Sequence, residues 1–139
     1  ELNVAMGGSL HQYVHLLPGK RDHRSNMALP PGQRAGLAHS VKLTAGGMLQ
    51  KIFGNEEVLV NSLHAQAVNR PAPGMIVEAL SEDGVVEGIS MPSAPGWVLG
   101  VQWHPEATFR EDLPSQKLFE AFGAAVQAYA SGKVLAAAE

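Results

Sequence analysis

The stretch MIVEALSEDGVVEGISM, residues Met75 to Met91, contains the strongest local folding signal in this 139-residue chain. Two runs rich in apolar and β-branched residues flank the pair Asp83-Gly84. An Asp-Gly pair between such runs is typical of a tight β-hairpin, because it suits the positive backbone φ angles of the favoured turn. The stretch therefore predicts two consecutive antiparallel strands.

Downstream of this hairpin the sequence predicts one more strand and a terminal helix. GWVLGVQW, Gly96 to Trp103, is almost continuously apolar, which favours a strand buried on both faces. PSQKLFEAFGAAVQAYA, Pro114 to Ala130, predicts a helix with Ser115 as its cap. The apolar stripe of this helix consists of Leu118, Phe119, Phe122, Val126 and Tyr129. The alanine-rich tail after Gly132 is expected to be frayed.

Upstream of the hairpin the chain opens on an incomplete helix and a long loop. ELNVAMGG predicts the last turns of a helix, which Gly7 and Gly8 end with a left-handed stop. That helix has no capping residue and no first turn, so we expect it to begin in sequence that precedes Glu1. The segment Leu16 to Gly36 is rich in proline, glycine and charge and predicts a surface loop.

Between that loop and the hairpin the sequence predicts further short elements. AHSVKLT predicts a strand with Val41 and Leu43 on one face. A helical turn is expected over 48–52, a strand over 58–60, and a polar loop over 61–66. The predicted fold class is therefore α/β, without the alternating βαβ half that would complete a doubly wound sheet. Residues 1–139 are expected to form the second, C-terminal portion of one larger domain.

Composition excludes several functions. Hydrophobic residues make up 45% of the chain and charged residues 17%, which indicates a globular protein. The formal net charge is −3 and no basic patch dominates, so nucleic acid is not an expected partner. No apolar run is long enough for a membrane span, and no signal-peptide pattern opens the chain. The absence of cysteine excludes disulfides and weakly favours a reducing, cytoplasmic compartment.

The clearest chemical motif is VQWHPE, in which His104 and Glu106 directly follow the predicted strand. Functional residues collect at strand ends in open α/β sheets. Pro105 favours an extended conformation at His104, and residues two apart in an extended chain can share a face. A carboxylate that orients an imidazole is the base-and-orienter pair of a nucleophilic triad. A strand-end histidine beside a solvated charge remains the simpler alternative on these grounds.

Other catalytic and metal motifs are incomplete. A zinc deaminase needs Pro-Cys-x-x-Cys downstream of its His-x-Glu, which a chain without cysteine cannot supply. His11 and His15 stand four apart, but no glutamate follows His11 in the zinc-protease manner, so surface histidines are favoured there. GGSLH does not match the Gly-x-Ser-x-Gly nucleophile turn, and no Gly-Lys-Ser/Thr phosphate loop occurs. The sequence therefore predicts no metal site.

The segments NVAMGGSLHQ, AHSV, VNSLHAQAV, SEDGVVEGIS and GVQWHPE together resemble class I glutamine amidotransferase-like hydrolases over nearly the whole chain. VNSLHAQAV with DGVVEGI is similar to the gamma-glutamyl-gamma-aminobutyrate hydrolase branch, grouped as C26 cysteine peptidases. The resemblance implies a flavodoxin-like three-layer domain of which this chain is the C-terminal part. It also implies hydrolysis of gamma-glutamyl amide bonds in conjugates of aminobutyrate or polyamines, with neither metal nor organic cofactor.

The resemblance assigns roles to particular residues. It makes His104 the base and Glu106 its orienting acid in a Cys-His-Glu triad. The cysteine would lie a few residues before Glu1, in the N-terminal portion of the same protein, so the fragment is not expected to act alone. The polar residues of the loop implied to line the glutamyl pocket are Asn61, Ser62, His64 and Gln66. Whether they act through side chains or backbone, and whether His39 touches substrate, stays open.

Two other functions remain alternatives. A glutaminase domain that supplies ammonia to a synthetase would share the triad, although the alanine-rich tail provides no linker to a second domain. A cysteine-free binding or scaffold protein would have to fold stably by itself, which the unpaired strand edges disfavour. The leaving amine and the role of the loop from Leu16 to Gly36 are not determined, and association into a homodimer is left open.

Overall fold

The computed structural model describes residues 1–132 and shows a mixed α/β architecture. The helices are α1 (Leu2–Ala5), α2 (Met48–Phe53) and α3 (Leu113–Ala130). The strands are β1 (Ser9–His11), β2 (Leu37–Leu43), β3 (Glu57–Asn61), β4 (Ala67–Arg70), β5 (Ile76–Ser81), β6 (Val86–Ser90) and β7 (Leu99–Val101). Short 3-10 turns cover Val14–Leu16, Pro31–Gln33 and Pro105–Ala107. The predicted alanine-rich tail lies outside the described residues.

The strands form one sheet in the order β1-β4-β6-β5-β2-β3, and β7 pairs with β6. Every pairing recorded among residues 1–132 is antiparallel. The predicted hairpin is confirmed as β5 and β6, with Ile76 opposite Ser90 and Gly84 at a φ of 74° in the turn. Because β6 pairs with β5 on one edge and with both β4 and β7 on the other, its side chains lie at the centre of the sheet.

The main hydrophobic core lies between one face of this sheet and the helices α2 and α3. It contains Val41 and Leu43 of β2, which confirms that these two residues share a face as predicted. The other members are buried side chains of the remaining elements. Those are Leu49, Phe53, Val58, Val60, Ala79, Trp103 and Leu118. Trp103 packs in this core and directly precedes the His-Pro-Glu motif, so the position of the backbone at the start of the motif is held by core packing.

Close packing at Gly88 fixes the spacing between the sheet and α2. A Cβ built on Gly88 of β6 would lie 2.7 Å from Leu49 Cδ1 and 3.2 Å from Ala79 Cβ. Such distances are shorter than side-chain packing tolerates, so a residue larger than glycine would force the Leu49 side chain out of its place against the sheet.

The two elements near the carboxyl end of the chain differ from their predictions. β7 covers only Leu99–Val101 and is half-buried, so the prediction of a long strand buried on both faces is wrong. The cap of α3 is Asp112, whose Oδ2 accepts from the Ser115 backbone N–H at 2.9 Å, and not Ser115 itself. Asp112 has the extended backbone that a cap requires, whereas Ser115 already lies inside the helix.

The predicted stripe of α3 is only partly a core face. Leu118 is buried, but Phe119, Phe122, Val126 and Tyr129 are exposed. Trp97 packs against Phe122 with ring centroids 5.5 Å apart. None of the helices between residues 1 and 132 combines the length and the apolar character needed to cross a membrane.

The amino-terminal helix is confirmed as a short element, and Gly7 ends it at a φ of 93°. Buried Asn3 fastens it to the sheet: its Nδ2 donates to the carbonyl oxygens of Ser9 and Arg70, both at 3.0 Å. Its Oδ1 accepts from the backbone N–H of Ala72 at 2.8 Å. A Cβ on Gly8 would overlap Asn3 Oδ1, so this anchor needs glycine there.

The segment from Leu16 to Gly36 contains no strand or α-helix, as predicted, but it is not simply a surface loop. His23 is buried at its centre. The hairpin turn holds the segment: the backbone N–H of Arg21 donates to Asp83 Oδ2 at 2.8 Å, and Lys20 Nζ donates to the Asp83 carbonyl oxygen. The Asp-Gly turn thus fixes a segment about 60 residues away in the sequence.

Candidate active site

His104 lies three residues beyond β7, at the start of the turn Pro105–Ala107, and it contacts Glu106. His104 Nδ1 lies 2.7 Å from Glu106 Oε1, which confirms the predicted contact. The predicted extended geometry is wrong, because Pro105 begins a 3-10 turn, and Glu106 contacts the edge of the ring at Nδ1 from within this turn. Proline fits the first position of such a turn since its φ is preset and it has no N–H to satisfy.

The pair is accessible to solvent. The side chain of His104 is 44% exposed and that of Glu106 is 62% exposed. Within residues 1–132 the imidazole has no recorded hydrogen bond at Nε2, so this nitrogen is available to a reacting group. Partial burial raises the pKa of Glu106, but the hydrogen bond from His104 outweighs that effect and the net pKa is lowered. The carboxylate therefore remains ionised at neutral pH and favours the tautomer with the proton on Nδ1.

Asn61, at the end of β3, holds the backbone of His104 from both sides. Its Nδ2 donates to the His104 carbonyl oxygen at 2.7 Å, and its Oδ1 accepts from the His104 N–H at 2.8 Å. Asn61 is buried, so its amide can be satisfied only by such internal partners. This two-bond clamp joins the loop predicted to bind substrate to the predicted base.

The four predicted pocket residues are adjacent in the sequence but occupy different environments. Asn61 is used by the clamp. Ser62 Oγ donates to the His23 carbonyl oxygen at 2.8 Å. His64 is buried, and its Nδ1 lies 2.8 Å from the Gln66 carbonyl oxygen. Gln66 is exposed and donates from Nε2 to Gln12 Oε1 at 2.6 Å.

Their role in substrate binding stays a prediction. All four side chains already contact other parts of the chain, and only Gln66 does so at the exposed surface, which favours a backbone role for this loop.

A second group of ionisable side chains, which sequence reasoning missed, lies behind this loop. It consists of His23, His39, His64 and Glu87, all buried. The Nε2 of His39 lies 3.2 Å from Glu87 Oε1, which places His39 in the interior. Burial raises the pKa of Glu87, but the interactions of its carboxylate with the neighbouring rings of His39 and His64 outweigh that effect, and the net pKa is lowered.

No sequence pattern indicates this cluster. Glu87 looks like one alternating residue of a hairpin strand, and the histidines come from three distant segments. They share no spacing that would place them together.

A cavity lies beside Glu87, between α1 and the face of the sheet. Asn3 of α1, Gln66 and Glu87 are among the residues that line it. Gln102, two residues before His104 in the sequence, also lines the cavity. The cavity therefore adjoins both the predicted substrate loop and the segment that leads to the predicted base.

The model of the Peptidase C26 family matches residues 1–106, a stretch that contains both His104 and Glu106. This chain belongs to the peptidase C26 family. The expected family is thereby confirmed. Among curated relatives of this C26 chain is gamma-glutamyl-gamma-aminobutyrate hydrolase PuuD from Escherichia coli (strain K12). The two are 40% identical over 134 residues, which cover 96% of this chain and 52% of the relative. Protein NtpR of Enterococcus hirae is 37% identical over 122 residues, with coverage of 87% and 49%.

Solved structures show the fold of the C26 chain. A Thermoplasma acidophilum protein assigned as part of a GMP synthase superposes with a TM-score of 0.64 at 18% identity, covering 94% of this chain and 54% of that one. A glutamine amido transferase from Methylobacillus flagellatus gives a TM-score of 0.51 at 19% identity, with coverage of 76% and 34%. The predicted class I glutamine amidotransferase fold, flavodoxin-like and α/β, is thereby confirmed. The chain spans about half the length of the curated relatives it matches.

Proposed function

We propose that this chain provides the base and the orienting acid of a cysteine-dependent hydrolase that cleaves gamma-glutamyl amide bonds. Its substrates are gamma-glutamylated amines such as gamma-glutamyl-aminobutyrate or polyamine conjugates, which places it in the breakdown of polyamines. The observation that carries the proposal is the contact of 2.7 Å between His104 Nδ1 and Glu106 Oε1 in a chain of the C26 family. The name of the Escherichia coli relative supports the substrate class.

The nucleophile of the proposed reaction is a cysteine thiolate from outside these 139 residues, which contain no cysteine. The N-terminal portion of the same protein is the proposed source. The thiolate attacks the gamma-carbonyl carbon, and the carbonyl oxygen takes the negative charge of the tetrahedral intermediate. His104 Nε2, which holds the proton that the cysteine thiol lost when the thiolate formed, then gives that proton to the leaving amine as the C–N bond breaks, which leaves a thioester.

Hydrolysis of the thioester uses the same imidazole in the reverse sense. His104 Nε2 accepts a proton from water while the water oxygen attacks the thioester carbon. Collapse of this second intermediate breaks the C–S bond and releases glutamate and the thiolate. Glu106 stays ionised throughout and stabilises the imidazolium that forms in each half-reaction, as the acid of a nucleophilic triad does. No metal or organic cofactor is required for these steps.

The loop from Asn61 to Gln66 is the proposed wall of the glutamyl pocket. Because Asn61, Ser62 and His64 direct their side chains inward, the loop offers its backbone N–H and C=O groups to the substrate. Such groups suit a neutral grip on the α-ammonium and α-carboxylate of a glutamyl moiety. The clamp from Asn61 to His104 then connects the pocket to the base, so the loop that binds substrate also holds the backbone of the residue that carries the reacting nitrogen.

A chimera tests this function. In the Escherichia coli hydrolase, the half that matches this chain is replaced by this chain. The other half of the hydrolase, which the alignment leaves unmatched, is kept. We expect the chimera to release glutamate from gamma-glutamyl-aminobutyrate. His104→Gln should lower turnover by about 10²- to 10⁴-fold, the usual contribution of a general acid-base group, and Glu106→Gln should cause a smaller loss.

His11→Gln is the matched control, because His11 is also a half-buried histidine at a strand end and is distant from the motif in the sequence. It should retain the turnover of the parent chimera. If His104→Gln leaves turnover unchanged in a chimera that is active, His104 is not the base. A folded chimera that hydrolyses free glutamine but not gamma-glutamyl-aminobutyrate would instead favour the glutaminase alternative.

A further inference from the structure

The buried cluster behind the substrate loop contains three groups arranged as metal ligands. His23, His64 and Glu87 each present one ligand atom, and the three atoms lie within 4.8 Å of one another. They come from separate parts of the chain: the segment before β2, the loop between β3 and β4, and the central strand β6. All three side chains are at least nine-tenths buried. None of them belongs to the pair formed by His104 and Glu106.

Hydrogen bonding fixes the tautomer of His64 so that it presents a lone pair to the cluster. Its Nδ1 lies 2.8 Å from the backbone carbonyl oxygen of Gln66, which can only accept, so Nδ1 carries the proton. In the neutral ring Nε2 is then the lone-pair nitrogen. This Nε2 is buried, has no hydrogen-bond partner in the described part of the chain, and lies 3.5 Å from Glu87 Oε1.

His23 is oriented in the same way by a carboxylate. Its Nε2 lies 3.0 Å from Asp83 Oδ2 and donates to it, which leaves Nδ1 as the lone-pair nitrogen, 3.4 Å from Glu87 Oε1. Ser62 Oγ, 3.2 Å from that Nδ1, gives its own proton to the His23 carbonyl oxygen. Histidines that bind metal ions typically donate their second ring nitrogen to a carboxylate or a backbone carbonyl, and both rings do so here.

The distances and the charge of the cluster fit a cation better than direct ion pairs. Charge-assisted N–H···O bonds are about 2.7–2.9 Å long, and the contacts of His23 and His64 with Glu87 are longer. In a tetrahedral zinc site with bonds of about 2.0–2.1 Å, neighbouring ligand atoms are about 3.3 Å apart, and His23 Nδ1 and His64 Nε2 lie 3.4 and 3.5 Å from Glu87 Oε1. Glu87 Oε2 also lacks a hydrogen-bond partner among the described residues, and Asp83 adds a second, nearly buried carboxylate.

We propose that His23 Nδ1, His64 Nε2 and the Glu87 carboxylate bind one divalent transition-metal ion of the zinc type. His39 donates from Nε2 to Glu87 and orients the carboxylate rather than completing the ligand set. The ion ties the substrate loop and the segment around His23 to the central strand. Its role is structural, so the site is distinct from the amide chemistry proposed above and does not depend on it.

Metal uptake by the purified chain tests the proposal. After treatment with EDTA and buffer exchange, the chain is mixed with Zn²⁺, passed through gel filtration, and analysed for bound zinc, while its thermal unfolding is followed by circular dichroism. We expect one equivalent of zinc and a raised Tm, since a ligand that binds only the folded state stabilises it. His64→Gln and Glu87→Gln should each weaken zinc binding at least tenfold, and His11→Gln should not.

A measurement on the unaltered chain covers the case in which a variant does not fold. Co²⁺ replaces Zn²⁺ as a coloured probe, and a site with two imidazoles, one carboxylate and a water molecule as the fourth ligand should give the intense visible absorption of four-coordinate cobalt. Nitrogen NMR of the histidine rings should show one unprotonated nitrogen in both His23 and His64. The proposal is overturned if the folded chain retains no zinc, or if both rings are doubly protonated at neutral pH with zinc in excess.

Discussion

The two histidine–carboxylate groups of this chain are built from the same chemistry in opposite surroundings. His104 and Glu106 are two residues apart, accessible to solvent, and 2.7 Å from each other. Glu87 is enclosed by His23, His39 and His64 at distances of 3.2–3.5 Å, and its partners are up to 64 residues away, counting from His23 to Glu87. The exposed pair can exchange protons with a substrate, whereas the enclosed cluster stabilises the structure around it.

Glu87→Gln should produce the largest effect that separates the two groups. In the presence of a chelator the substitution leaves three buried imidazoles without their common carboxylate. The N–H of His39 then loses a charged, buried acceptor, and a hydrogen bond of that kind contributes about 1.5–3 kcal/mol. Urea unfolding monitored by circular dichroism measures the change. The same substitution at Glu106 is the control, and equal losses at the two positions would show that the difference in burial has no energetic consequence.

Asn61→Ala tests the connection between the two groups, since Asn61 lies between the substrate loop and the base. The change removes two partly buried hydrogen bonds to the His104 backbone and leaves its N–H and C=O without those partners. We expect a loss of about 2–3 kcal/mol of unfolding free energy. In the active chimera we also expect lower kcat, because the ring of His104 is no longer held in place.

The matched control for this change is Asn69→Ala, which truncates an exposed asparagine of the neighbouring strand β4. Its stability should stay within about 0.5 kcal/mol of the parent chain. If Asn61→Ala changed neither stability nor turnover, the clamp would not be what positions His104.

Asp112→Ala removes a carboxylate that is less buried than Glu87 and less exposed than Glu106. Asp112 is half-buried and accepts from the Ser115 N–H as the cap of α3. The loss of such a cap costs about 1 kcal/mol. Differential scanning calorimetry should show a lower Tm, and Asp112→Asn should restore most of the difference because asparagine caps nearly as well. A full loss in the asparagine variant would indicate a role other than capping.

The sequence predicted those features that are determined by residues close to one another along the chain. Asp83-Gly84 specified the hairpin, the apolar alternation at Val41 and Leu43 specified a core face, and the two-residue spacing brought His104 to Glu106. The resemblance to the C26 hydrolases supplied the family and fold.

Features with distant causes were missed. The clamp from Asn61 to His104 spans 43 residues, and the anchor from Asn3 to Ala72 spans 69. The burial of His23 depends on contacts with a hairpin turn about 60 residues further on. Hydrophobic patterns also predict which residues prefer burial but not what covers them, as the exposed Phe122 and Tyr129 of α3 show.

Glu106→Gln should have the smallest effect on stability, and its dependence on pH gives the sharpest contrast with Glu87. The folded pKa of Glu106 is depressed, so its contribution is present above the unfolded pKa of about 4.3 and is lost as pH falls through the folded value. An exposed pair contributes at most about 1 kcal/mol. We expect the variant to be slightly less stable than the parent chain at pH 7, and we expect the difference to shrink as the pH falls through the folded pKa, in urea titrations at each pH. If the stability difference between variant and parent grew towards acidic pH, the pair would not be the exposed, ionised contact described here. If the variant lost turnover in the chimera at unchanged stability, the contribution of Glu106 would be to the chemistry.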